Sequence, residues 1–481
     1  MKRNLLLIAI AALILPAIAR GLWFYRGVPE TSVFATPDFS ALSAPQAPLK
    51  SAEKPMDDPV QYEGVALFDA AHANQFSLAE VEALTGAVKA RGGQVELLTD
   101  YALLEHKLKY ASAFVTISPM LSFNAEEIRA IERFVERGGR LLVFTEPTRN
   151  SIYFDFVSGN PIAYSDASAA NSLLASFGIT VNDDYLYNLE RNEGNFRNVF
   201  FDEFGKSEVT FGLKEVALYG THSLESPSGL VLLRGAESTL SSANDAHDPA
   251  QGGAALSADG NVLAFGDLTF LTSPYNNYAD NAVLIDNLAE FALSGSRTVT
   301  LDNFPFVFKG KTVRLYLSSE LIRSTEAFAA LGRMQAALRN MKLQVEFVEE
   351  LPRDGDAIIV STFAPGEEME PLIKKFGLEF EAGSEFVTMP GFGRVGIYGN
   401  NILLFDATPN GNRLVLFGNK IEDAVYLIDT LNLGYLSFCL SQENIAVCST
   451  GYGSPYQTES SPTPVPEMEN TEETPTPEAQ G

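Results

Sequence analysis

GVALFDAAHANQFSLAEVEALTGAVKARGGQVELLTD, residues 64–100, decides the fold. The apolar run Val65–Phe68 closes on Asp69 and is short enough for a buried strand. From Ser77 to Arg91 the apolar positions Leu78, Val81, Leu84 and Val88 recur at the i, i+3, i+4 spacing of an amphipathic helix. Gly92-Gly93 stops that helix, and Val95–Leu98 reads as a second strand. A strand, a crossover helix and a second strand make a βαβ unit with parallel strands.

The same alternation continues downstream. Phe114–Ile117 reads as a third strand, and SFNAEEIRAIERFVERGG (122–139) as a helix. Asn124 suits its N-cap, Glu126 and Glu127 its first turn, and Gly138-Gly139 its end. RLLVFTEP (140–147) is a fourth strand. Strands and helices at this spacing predict an α/β fold, a mostly parallel sheet with helices on both faces. Residues from about 150 to 255 lose the periodicity and read as an insertion with short strands. The pattern returns at GNVLAFGDLTFLTSP (260–274) and NAVLIDNLAEFALSG (281–295).

A second unit follows. KTVRLYLSS (311–319), LQVEFVEEL (343–351) and DAIIVST (356–362) read as strands, and Thr325–Lys342 and GEEMEPLIKKFG (366–377) as helices. Gly260-Asn261 and Gly411-Asn412 each open an apolar strand ending in Phe-Gly, at Phe265-Gly266 and Phe417-Gly418, followed by a helix. This parallel predicts an internal duplication with a degenerate second copy. The expected body is one α/β domain over 61–298, insertion included, and a second over 305–450.

Both ends differ from this body. Lys2 and Arg3 precede the apolar run Leu5–Ala19, an export signal with its positive end in the cytoplasm. Continued through Trp23 to Tyr25, the segment is long enough to cross a bilayer, and this anchor over residues 1–26 is the favoured reading. Ala17-Ile18-Ala19 also fits a cleavage site, so removal of the segment is the alternative. Either way the remainder is expected outside the cytoplasmic membrane. Residues 27–60, rich in Pro, Ser and Ala, read as a stalk. Residues 451–481 read as a disordered tail, rich in Pro, Thr and Glu. Beyond Tyr456 the tail carries Glu459, Glu467, Glu469, Glu472, Glu473 and Glu478, with no Lys or Arg. The net charge of −27 argues against nucleic acid as a partner, because a phosphate backbone is met by Lys and Arg.

The chemistry-bearing residues follow from strand polarity. In a parallel sheet all strand C-termini share one edge, which brings together Asp69 and His72 after the first strand, Ser118 after the third, Glu146 after the fourth and Asp267 after the last. A histidine among carboxylates suits acid–base work or a divalent cation. The local alternative is that Asp69 and Asn74 hold turns, Ser77 caps a helix, and Asp267 receives amide donors. No metal-ligand pair of the H-x-H kind accompanies the cluster, and no cofactor is expected. The second unit carries VRLYLSSELIR and Asn419 in the corresponding places, which weighs for a site in the first copy. GFGRVG (391–396) matches a dinucleotide fingerprint as a string but precedes a strand, so it reads as a turn. Arg197 with Asn192, Asn195 and Asn198 reads as a structured loop, with carboxylate or sugar recognition as the alternative. Cys439 and Cys448 lie close enough in sequence for a disulfide across a short loop, or are two unrelated thiols.

Three elements carry a family resemblance: D-x-x-H-x-N (Asp69, His72, Asn74), F-V-x-x-G-G-x-L-L (Phe134–Leu142) and G-D-x-x-F with D-N (Gly266-Asp267, Phe270, Asp280-Asn281). With their surroundings, over roughly 64–295, they resemble the DUF4350 family, related to GldG-type auxiliary proteins of ABC transport systems. The resemblance implies a flavodoxin-like, glutamine-amidotransferase-like fold, an extracytoplasmic membrane-tethered domain, and a membrane-protein or ABC-system partner. It adds Asp280 and Asn281 to the candidate ligand-binding residues. The amidotransferase Cys nucleophile has no counterpart, since the third strand ends in TISPM, and no G-x-S-x-G elbow occurs. The expected function is a non-catalytic binding or scaffold protein anchored in the membrane. The alternative is an extracytoplasmic hydrolase, metal-assisted in one version, using Asp69, His72, Glu146 and Asp267.

Overall fold

The computed structural model describes residues 2–24 and 59–450, apart from 155–156, 158, 319–320, 322–323, 365, 381–384, 434–435, 437–438 and 443. The chain divides into two units, Met1–Ser51 and Ala52–Gly481. The described part of the first is one helix, α1 (Lys2–Phe24). Its stretch Arg3–Phe24, 22 residues, is long and apolar enough to cross a membrane. The expected stalk, except Pro59 and Val60, and the expected tail lie outside the described residues.

The second unit opens with β1 (Val65–Asp69), α2 (Glu82–Ala90), β2 (Gln94–Leu98), α3 (Leu104–Leu108), β3 (Ala113–Ile117), α4 (Ala125–Glu136) and β4 (Arg140–Phe144). The helix expected from Ser77 begins five residues later. Ser77 instead closes a turn on Glu80, whose carboxylate accepts from the Ser77 amide at 2.7 Å and from its hydroxyl at 2.9 Å. Asn124 caps α4 as expected, in a reciprocal box with Glu127. The insertion contributes α5 (Asp166–Leu174), the short strands β5 (Val216–Tyr219) and β6 (Leu230–Arg234), and β7 (Gln251–Leu256). The chain then returns through β8 (Val262–Phe265) and α6 (Asn281–Ser294).

The first sheet runs β6-β7-β8-β4-β3-β1-β2. From β8 to β2 every pairing is parallel, and β7 and β6 join antiparallel. Side chains alternate by strand geometry. Phe68, Val115, Leu142, Phe144 and Leu263 point to one face, with Leu84 of α2 and Leu288 of α6. Leu67, Phe114, Leu141, Val143 and Ala264 point to the other, with Ile131 and Phe134 of α4 and Leu173 of α5. Apolar side chains on both faces are what a parallel sheet covered by helices requires.

The turn after α4 needs glycine. Gly138 sits at φ +89°, and a Cβ there would overlap the Ser296 carbonyl oxygen. Gly138→Ala is therefore expected to destabilise the fold by about 1–2 kcal/mol, read as a lower urea midpoint at unchanged slope.

The second sheet is built by β9 (Thr312–Leu317), α7 (Thr325–Asn340), β10 (Gln344–Val348), β11 (Ala357–Thr362), α8 (Glu370–Lys375), β12 (Asn400–Thr408), β13 (Gly411–Gly418), α9 (Ile421–Leu433), β14 (Cys439–Gln442) and β15 (Ile445–Ser449). Its order is β10-β9-β11-β13-β12-β15-β14, parallel from β10 to β13 and antiparallel beyond. One face packs on α7 and α9 through Leu331, Met334, Leu427 and Ile428. The other packs on α8 and on a small three-stranded sheet through Leu372, Val387 and Met389. Gly393–Gly396, the end of the GFGRVG string, is a strand of that small sheet paired with Phe386–Met389, so no helix follows the glycines.

Cys439 and Cys448 face each other across β14 and β15 and are joined, with Cα atoms 4.2 Å apart. The bridge closes a loop of about ten residues, worth about 2–3 kcal/mol by chain entropy. Cys439→Ser with Cys448→Ser should lower the urea midpoint by that amount, and reductant should shift the wild type but not the double variant.

Candidate functional site

Asp69, Ser118, Glu146 and Asp267 follow β1, β3, β4 and β8, four adjacent parallel strands, so all lie on the C-terminal edge of the first sheet as strand polarity requires. They do not form one cluster. Strands β1 and β8 are three inter-strand spacings apart, about 14 Å. The edge carries two polar centres.

The first surrounds Asp69, which is fully buried. Its carboxylate meets His72 Nδ1 at 2.9 and 3.0 Å and accepts from Thr116 Oγ1 at 2.9 Å, Asn74 Nδ2 at 3.2 Å and the Ala71 amide at 3.0 Å. Asn74 also donates to Thr116 Oγ1 and to the Ile117 carbonyl, and its own oxygen accepts from the His72 amide at 3.0 Å. The D-x-x-H-x-N element is thus a closed turn that ties the end of β1 to the end of β3. His72 is 3% exposed and its ring stacks on Phe123, centroids 4.0 Å apart. Its Nε2 has no hydrogen-bond partner among the described residues and lies 3.6 Å from the Glu127 carboxylate. Burial alone would push this imidazole down, but Asp69, with Glu127 behind it, offsets that and holds it above its ordinary value.

Ser118 is buried beside this centre at φ +43°, a strained conformation for a residue with a Cβ. Its amide donates to the Phe144 carbonyl at 2.7 Å and its carbonyl accepts from the Gln75 amide at 2.9 Å, which fixes the backbone. Its hydroxyl has no partner among the described residues.

The second centre holds Glu146 and Asp267, both fully buried. Asp267 accepts from the Tyr219 amide at 2.8 Å and the Thr269 amide at 2.7 Å, and is hydrogen-bonded to Glu146. Glu146 accepts from the Thr148 and Thr269 hydroxyls at 2.8 and 2.9 Å. Burial, then the neighbouring Glu146 charge, raise the Asp267 carboxyl well above the ordinary range.

Sequence reasoning missed two further members. Asp166, first residue of α5, accepts from the Glu146 amide at 2.8 Å and meets His222 Nε2 at 3.2 Å. Both are buried, and His222 Nδ1 has no partner among the described residues. The available signal was His222 itself, one of only four histidines, two residues after the apolar run VALYG.

The remaining candidates hold the fold. Asp280 accepts from the Lys214 and Glu215 amides at 2.7 and 3.1 Å. Asn281 accepts from the Ala217 amide at 3.1 Å and donates to its carbonyl at 2.9 Å. Together they pin β5 to the start of α6. Arg197 stacks over Tyr185 at 4.5 Å, while Asn195 accepts from the Arg197 amide at 3.1 Å, as in the expected structured loop. Among the described residues, no group of three or more His, Cys, Asp or Glu side chains is placed to hold a metal ion.

The edge is a sealed polar layer rather than an open crevice. Asp69, Glu146, Asp166 and Asp267 have no exposed surface. Such groups fix loops and hold a proton; acid–base exchange with a bound molecule would need the layer to open.

Three solved structures resemble part of this chain. The mmIFT52 N-terminal domain is 16% identical, with TM-score 0.39, over 48% of this chain and 99% of that one. A ThuA-like protein from Bacteroides uniformis is 13% identical, with TM-score 0.32, over 50% and 94%. A ThuA-like protein from Parabacteroides merdae is 9% identical, with TM-score 0.28, over 50% and 94%. Nothing about activity follows from likeness at this level. No curated protein matches the chain in sequence. The family model described as Domain of unknown function (DUF4350) matches residues 81–289, the stretch from α2 into α6.

Proposed function

We propose that this protein is a membrane-anchored binding or scaffold protein whose body lies outside the cytoplasm and works without turnover. The observation that carries this reading is the state of the sheet edge. Each side chain that general acid–base chemistry would use is buried and bonded to protein groups. The apolar helix Arg3–Phe24 supports the anchor, and Lys2 and Arg3 before the apolar core support the orientation.

The body is two flavodoxin-like units, the second a degenerate copy. Both sheets place the first strand between the second and third, at β2-β1-β3 and β10-β9-β11. Their edge strands share Gln-Val-Glu, at 94–96 and 344–346, and β8 and β13 each pair antiparallel with the preceding strand. The second copy lacks a counterpart of β4, so its third strand pairs directly with β13. Asp69, His72, Glu146 and Asp267 belong to the first copy alone, where they stabilise the longer edge. The partner class is a membrane protein, with a component of an ABC-type transport system as its specific form.

The test is in-membrane cross-linking of the full chain, then detergent extraction and pull-down. Recovery of one integral membrane protein in near-equal amount, lost when the anchor alone is expressed, supports the reading. Recovery of the chain alone from every condition, with the body protected from external protease, overturns it.

A further inference from the structure

A cavity of about 580 Å³ lies between the α3–α4 side of the first sheet and the start of β14. Its charged lining is His106, Lys109, Arg133 and Arg137, with Glu105 and Asp302. Glu105 is committed to Arg133 at 2.9 Å. Lys109 and Arg137 make no side-chain hydrogen bond or ion pair to any described residue, although Asp302 is near enough to Arg137 to act on it through space. Behind this lining sits Arg297, largely buried and bonded to the backbone carbonyls of Leu108, Lys109 and Ala111 rather than to a carboxylate. Burial, with Arg137 nearby, brings its guanidinium down to about 10. Three permanent cations, Lys109, Arg133 and Arg137, thus line the cavity with two carboxylates, and Arg297 stands behind them, in a chain whose net charge is −27. An acidic ligand would relieve the repulsion between Arg137 and Arg297.

The chain carries such a ligand, tethered beside the cavity. Cys439 and Ser441 of β14 line the same space, and Cys439 is bridged to Cys448. Thr450, the last described residue, follows Cys448 by two positions, so the tail leaves within about 7 Å of the bridge. Glu459, its first acidic residue, is nine positions further on, a reach of about 30 Å when extended. Five more glutamates follow, with no Lys or Arg among them. A short tether raises the effective concentration to the millimolar range, where weak ion pairs suffice.

We propose that the acidic C-terminal tail, residues 451–481, docks on this basic groove of its own chain and covers it, so that a partner of the groove or of the tail must displace it. This inference stands apart from the reading of the sheet edge.

Zero-length carbodiimide coupling of the full chain in detergent, with peptide mapping of the monomer fraction, tests it. Amides between Lys109 and the tail glutamates should exceed those at exposed Lys206 at least ten-fold. They should fall at least five-fold in 0.5 M salt, because exposed ion pairs are screened. Arg133→Gln with Arg137→Gln should reduce them to the Lys206 level. Circular dichroism checks that this variant is folded; Arg133→Gln alone, at an exposed position, should give an intermediate loss. Lys109 coupling no higher than Lys206 overturns the proposal. So does coupling confined to covalent dimers, which would assign the groove to the tail of a second copy.

Discussion

Asp69→Ala is expected to unfold about 3–5 kcal/mol more easily than the wild type, the usual result of removing one partner from a buried ion pair. Four groups lose their acceptor at once: His72, Asn74, Thr116 and the Ala71 amide. Thr116 and His72 cannot turn to water, because Thr116 is fully buried and His72 nearly so. The pH dependence identifies the histidine's share. With its folded pKa held above the unfolded value, His72 contributes stability that is fully present below about pH 6.5 and is lost as pH rises through the folded value. The deficit of Asp69→Ala should therefore be largest near pH 6 and narrow above it. Urea titrations at pH 6.0 and 8.5 measure this. A deficit under 1 kcal/mol at pH 6 would mean that the turn is not held by Asp69, and would reopen a ligand-binding role for the pair.

The strand and helix order of the first sheet was legible because burial on two faces writes itself as apolar runs in strands and as i, i+3, i+4 patterns in helices. Val65–Asp69, Ala125–Glu136 and Arg140–Phe144 lie where those patterns put them. Helix starts were less legible. Ser77 and Glu80 satisfy each other as a capping turn, so local chemistry looked like a helix N-terminus while the regular helix begins at Glu82. Placing the polar residues on one edge followed from polarity alone. Their burial did not, since whether an edge opens or is sealed depends on the insertion between β4 and β8. That segment has no periodicity, yet it supplies Asp166, Tyr219 and His222, which close over Glu146 and Asp267. Contacts between residues 56 positions apart, as at Asp166 and His222, leave no local pattern.

The same closure explains Asp280 and Asn281. Within the sequence they resemble a ligand-facing pair at a helix start. In the fold they accept the amides of Lys214, Glu215 and Ala217, and so hold the insertion against α6.

The joint at Asp267 gives the second large effect. Asp267→Ala leaves the Tyr219 and Thr269 amides without an acceptor in a dry interior and strands Glu146, at an expected cost of about 3–5 kcal/mol. Asp267→Asn separates geometry from charge. The amide keeps one acceptor and one donor, so it loses one backbone bond, about 1–2 kcal/mol at every pH. It also abolishes the titration. Because the folded-state pKa of Asp267 is raised, the native protein holds a proton that the unfolded chain releases above about pH 4. The stabilisation from that proton is complete below the unfolded value and declines by up to about 1.4 kcal/mol per pH unit as pH rises toward the folded value. Asp267→Asn escapes this decline. It should be the less stable protein at pH 4.5 and gain on the wild type through pH 6 and pH 7.5, with Asp267→Ala below both at pH 4.5. Urea midpoints of the three proteins at those pH values decide the matter. A constant gap between wild type and Asp267→Asn would mean that Asp267 is ionised in the fold, and that the pair with Glu146 carries two charges rather than a shared proton.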